Sequence, residues 1–75
     1  MQGQPQIIEL LNSVLRKELT GVNQYFVHAK MCESWGYDRL AQHFRATSLE
    51  EMKDAEEIIQ RILFLEGIPA LHHLG

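Results

Sequence analysis

The sequence predicts an all-α fold, an antiparallel two-helix hairpin that forms half of a four-helix bundle completed by another chain. Three observations lead there. Apolar residues recur at steps of three and four along two long segments. A single break at Trp35-Gly36 separates those segments. The 75 residues are also too few for a sizeable core, because a domain of this size hides only about 60 % of the surface its unfolded chain exposes.

The first helix is expected over residues 5–35, within a single domain spanning 1–75. Pro5 suits a first helical turn, where its missing N–H costs nothing, and the periodic pattern begins directly after it. Gly36 breaks the pattern and opens a turn over 36–38, with Asp38 as a candidate N-cap. A second helix is expected over 39–66, stopped by Gly67 and Pro69, and a tail covers 67–75. So short a turn makes the two helices antiparallel.

So small a chain needs a staple: disulfides, a metal or oligomerisation. Cys32 is the sole cysteine, so disulfides within the chain are excluded. One unpaired cysteine fits a reducing compartment, hence a cytoplasmic protein. Seven Lys and Arg against ten Asp and Glu give a net charge of -3, which is no footprint for nucleic acid. The opening Met-Gln-Gly-Gln-Pro lacks the basic and apolar regions of a secretory signal. No apolar run approaches the ~20 residues that span a membrane.

Helical register points to the chemistry. In the first helix Ile8, Leu11, Leu15, Glu18, Val22, Tyr25, Ala29 and Cys32 form a seam with Glu18 inside it. The same alternation in the second helix gives Leu40, Phe44, Thr47, Glu51, Asp54, Ile58, Arg61 and Leu65. Glu18 and Glu51 then stand about 18 and about 15 residues from the turn, at similar levels of an antiparallel pair. Three carboxylates are expected to converge on one buried layer, where their charge calls for compensation. A bridging metal supplies it. Di-iron carboxylate bundles use a lone Glu from each of two helices and a Glu-x-x-His pair from each of the others. Glu18 fits the first, and Glu51-Met52-Lys53-Asp54 fits the second in spacing, with Asp at the histidine position. Carboxylates suit hard cations, and a mixed site with imidazole suits ferrous iron. The alternative is that Glu18 pairs with a lysine or lies at a wet edge, with the register displaced by one residue. Leu49, Met52, Ile59 and Leu63 form a further apolar stripe, rotated about 100° from Glu51 and read as a subunit contact.

Longer stretches resemble a known family. Asn23-Gln24-Tyr25-Phe26-Val27-His28-Ala29-Lys30-Met31, Trp35-Gly36, Glu51-Met52-Lys53 and Arg61-Ile62-Leu63-Phe64-Leu65-Glu66-Gly67-Ile68-Pro69 look like the first two helices of bacterioferritin. The resemblance covers essentially all 75 residues but only about half of a family chain, which normally continues through a crossover into two more helices. It implies a ferritin-like bundle, iron storage in a cage, a di-iron ferroxidase centre and haem b. Glu18 and Glu51 would be carboxylate ligands of that centre, and Tyr25 the catalytic tyrosine beside it. Met52 would be the axial haem ligand at a two-fold axis between subunits.

The sequence also departs from the family. Asp54 replaces a metal-binding histidine, and Phe44-Arg45-Ala46-Thr47-Ser48 stands where the family has Glu-Tyr-His-Glu-Ser. Asp54 can still offer oxygen to iron, but it is shorter and adds charge, which weakens the expected ferroxidase turnover. His28 reads as a partly buried polar group, His43 as a surface residue, and His72-His73 as part of a mobile tail. Cys32 has no evident base beside it.

Three functional readings result. The first is iron storage and detoxification, with iron bound in the bundle and haem at a two-fold interface. The second is a haem-binding, structural subunit whose altered iron site leaves oxidation to companion chains. The third is a non-enzymatic hairpin that keeps only the family surface. Expected partners are iron ions and further ferritin-like chains or copies of this one, with neither nucleic acid nor membrane.

Overall fold

A computed structural model describes residues 2–70. Two α-helices account for most of them: α1, Pro5–Ser34, and α2, Asp38–Phe64. They pack side by side in a slab 49 × 25 × 13 Å. The smallest dimension is about one helix diameter, so both broad faces of the pair lie open. His72 and His73 fall outside the described residues.

Both helices end in the same way, with different residues. After α1, Gly36 adopts the left-handed φ of 83°, the Gly36 N–H donates to Glu33 O, and the Tyr37 N–H donates to Cys32 O. After α2, Glu66 takes that place at φ 60°, its N–H donating to Leu63 O and the Gly67 N–H to Ile62 O. These are paired Schellman closures. The expected glycine stop at Gly67 is therefore displaced by one residue. Gly67 serves a packing purpose instead: a Cβ there would stand 2.8 Å from Ile8 Cγ2 and 3.1 Å from Ile62 Cγ2. Asp38 is likewise not the N-cap. Tyr37 holds that position with no side-chain cap, and Asp38 lies in the first turn, where its charge suits the helix dipole.

The α1 seam holds as read, with all eight of its residues buried or half-buried. The α2 seam requires correction at alternate positions. It runs through Ala41, Phe44, Ser48, Glu51, Ala55, Ile58, Ile62 and Leu65, and it leaves Leu40, Asp54 and Arg61 exposed. Small residues hold three of these seats because closely approaching helices leave little room between backbones. Ser48 Oγ donates to Val22 O at 2.9 Å, which satisfies the one buried polar side chain of the seam. The core of Leu15, Ala55 and Ile62, flanked by Ile8, Leu11, Leu19, Ile58 and Ile59, lies towards the open end of the hairpin.

Contacts at both ends fix the pair. Near the turn, Arg45 bridges to Glu33 at 3.1 Å. At the open end, the Gly3 N–H donates to Leu65 O at 2.8 Å. Asn12 Nδ2 donates to Ile68 O at 3.0 Å, and the Ala70 N–H donates to Asn12 Oδ1. One amide thus holds the chain leaving α2 against α1.

Candidate metal centre

The corrected register determines how the carboxylates meet. Glu51 belongs to the α2 seam, and Asp54, three residues on, projects at its exposed edge. Glu18 faces them from α1, one turn beyond buried Leu15. One carboxylate oxygen from each of the three lies within 4.8 Å of the others. Glu18 and Glu51 are half-buried and Asp54 is exposed. The expected convergence is present, but the expected buried layer is not: the cluster opens along the Asp54 edge. The α2 register is displaced by one residue at this level, with Ala55 in the seam beside exposed Asp54, while Glu18 keeps its place in the α1 seam.

Among the described residues, no cation is paired with the carboxylates of this cluster. Lys30 and Arg45 pair with Glu33, away from the cluster. Glu18 Oε2 is closed off from solvent and has no donor. Its neighbour is another carboxylate, and two carboxylates can hydrogen-bond only when one carries a proton. A proton shared with Glu51, loss of hydration and the charges of Glu51 and Asp54 together raise the Glu18 carboxyl to about 7. Enclosed lone pairs without a donor, in a set made wholly of oxygen ligands, fit a hard or borderline divalent cation.

Tyr25 is half-buried and lines the same open groove as Glu51, together with Lys17, Gly21 and Gln24. Its ring stacks on Phe44 at 6.0 Å. The seam position read as Thr47 is only half-buried, and its hydroxyl donates back to His43 O at 3.0 Å. Met52 does not join this cluster. It lies on the other side of α2, 51 % exposed, in a stripe with exposed Leu49 and Leu63, while Ile59 of that stripe turns into the core. The two edges of α2 thus carry different chemistry, acidic at Asp54 and apolar with a thioether at Met52.

The remaining histidines divide. His43 is exposed as expected, and His28, expected to be partly buried, is exposed with its ring 5.5 Å from Phe44. Cys32 is a buried free thiol. Sequence reasoning overlooked Gly21 and Asn12. Gly21 approaches the Glu51 carboxylate so closely that a Cβ would stand 3.3 Å from Oε2. A glycine within a strongly periodic helix was the available signal. Among the described residues, no helix is long and apolar enough to cross a membrane.

Comparison with known proteins agrees with this architecture. Residues 8–75 match the family model described as the ferritin-like domain. The bacterioferritin of Mycobacterium tuberculosis is 52 % identical over 75 residues, which are all of this chain and 47 % of the relative. Bacterioferritins of Rhodobacter capsulatus and Streptomyces coelicolor are 50 % and 49 % identical over 74 residues, 99 % of this chain and 46 % and 44 % of theirs. The chain spans about half the length of these curated relatives and aligns with their N-terminal portion. With two packed helices, an acidic cluster between them and a match over nearly its whole length, the chain belongs to the ferritin-like family.

Proposed function

We propose that this chain supplies the first helical pair of an iron-storage subunit and takes up iron at Glu18, Glu51 and Asp54. The observation that carries the reading is the enclosed, donorless Glu18 Oε2 within a trio of carboxylates. Ferrous iron is the substrate here, and in ferroxidase turnover each ion gives one electron to dioxygen. Glu18 and Glu51 fix the cation between the helices, while Asp54 contributes oxygen from the open edge. Tyr25, in the groove beside Glu51, is the residue assigned to assist oxidation. Three carboxylates from one hairpin are an incomplete set for two irons. Two further helices complete such a site in a four-helix di-iron bundle, and a second copy about a two-fold axis would supply them by duplicating the trio. A folded, monodisperse monomer in sedimentation analysis would end that part of the reading.

Haem b is assigned to Met52. A thioether on an exposed apolar stripe can ligate haem once a second subunit covers the stripe, with Leu49 and Leu63 as walls. Haem bound there supplies one-electron redox chemistry.

A second reading is favoured by Asp54. Its exposure and its carboxylate in place of imidazole support a subunit that binds iron and haem but leaves oxidation to partner chains. Anaerobic titration with Fe(II) tests the site common to both readings. Glu18→Gln and Glu51→Gln should each weaken binding by about tenfold or more, since each deletes a charged ligand. Equal binding by the parent and both variants would refute the metal site.

A further inference from the structure

We infer that Gly21 is a positioning residue for the carboxylate cluster, its missing side chain being the space against which Glu51 rests. The inference builds on the metal reading above and assigns the residue that sets Glu51 in place. Gly21 lies in the interior of α1, three residues from Glu18 and four from Tyr25. A Cβ built there would meet Glu51 Oε2 at 3.3 Å, Cδ at 3.6 Å and Cγ at 3.7 Å. Its three nearest neighbours across the helix pair thus all belong to one side chain.

Glycine weakens a helix interior relative to alanine, so its presence in a 30-residue helix runs against local preference. Close backbone approach is the physical reason a helix keeps one. Here the approaching group is a candidate ligand. Glu51 belongs to the α2 seam, and its carboxylate reaches across to Gly21 of α1 while staying within the cluster of Glu18 and Asp54. A methyl group on residue 21 would press on the carboxylate end, the flexible part of the side chain. The backbone would stay in place, and the carboxylate would move by a few tenths of an ångström. A shift that small matters little to packing and much to ligand geometry, because support behind a metal ligand typically accounts for about tenfold or more in affinity.

Gly21→Ala should therefore separate two properties that an ordinary packing change alters together. Metal-free thermal stability should hold or rise, because alanine favours the helix. Affinity for Mn²⁺, a redox-stable probe suited to oxygen ligands, should fall by about tenfold in calorimetric titration of the full 75-residue chain. Asn23→Ala is the control: it also favours the helix, but residue 23 is exposed and does not line the groove shared by Gly21 and Glu51, so Mn²⁺ affinity should match the parent. Unchanged Mn²⁺ affinity in Gly21→Ala, with tight binding by the parent, would overturn the positioning role and leave the metal site standing. Loss of stability together with affinity would also overturn it, since Gly21 would then be a packing residue. Absence of Mn²⁺ binding by the parent would remove both inferences.

Discussion

Replacing Glu18 with glutamine should change how stability depends on pH. In the metal-free chain the Glu18 carboxyl is raised to about 7 from an ordinary 4.5, so the folded state holds a proton that the unfolded state has released. The sign follows from linkage: stability from this group is fully present below about 4.5 and is lost as pH rises through about 7. At 1.36 kcal/mol per pH unit the full difference is about 3 kcal/mol. The cluster opens to solvent at Asp54, and screening there reduces this to about 1–2 kcal/mol. For a chain of this size the loss corresponds to a fall in Tm of roughly 5–12 °C between pH 5 and pH 8. Melting curves of the parent and Glu18→Gln at the two pH values isolate the effect, because other titrating groups are common to both. Glutamine keeps the shape and removes the titration, so the variant should be the more stable protein at pH 8. A parent whose stability is flat or rising over that range, relative to the variant, would refute the shared-proton account.

Four further substitutions have definite expected outcomes. Asp54→His restores a Glu-x-x-His pair and should raise aerobic Fe(II) oxidation several-fold, read from the growth of ferric absorbance; a parent that is already as fast would show that Asp54 is a competent ligand. Met52→Leu nearly conserves volume, costs less than about 1.5 kcal/mol, and should abolish haem absorbance while the assembly survives; haem retained at parental level would remove Met52 as its ligand. Glu66→Gly should stabilise by about 1 kcal/mol by relieving a left-handed φ of 60°. By contrast Gly67→Ala should cost about 1–3 kcal/mol by driving a Cβ into Ile8, and equal denaturant midpoints for these two variants would contradict the described closure of α2.

Periodicity was enough to read the hairpin, the Gly36 turn and the whole α1 seam, because that seam is dominated by large apolar residues that only burial explains. It misplaced half of the α2 seam for a physical reason. Ala41, Ser48 and Ala55 are small and weakly apolar, whereas Leu40 and Thr47 look equally plausible as core. Close helix approach selects for size, and hydrophobic patterning does not register size. That slip turned Asp54 inward when it lies at an edge, so the carboxylate cluster was legible in composition and level but not in its exposure. The left-handed Glu66 carries no compositional signal at all, with a glycine standing directly beside it. Asn12 is legible only once the chain beyond α2 is seen to run along α1.

The ladder of contacts between the two helices also implies an order of closure. Arg45–Glu33 joins residues 12 apart, Ser48–Val22 joins residues 26 apart, and Asn12–Ile68 joins residues 56 apart. Loop-closure entropy rises with the logarithm of separation, so the outermost contact costs about 1.4 kcal/mol more to close than the innermost. The hairpin should therefore zip from the Gly36 turn outwards and fray from its open end inwards. Leu15, Ala55 and Ile62 stand between that fraying end and the layer of Glu18 and Glu51. Local opening at the ends must break the core before it loosens the carboxylates. The acidic cluster thus sits on the early-closing, late-opening side of the molecule, held together through fluctuations that would scatter ligands placed nearer the termini.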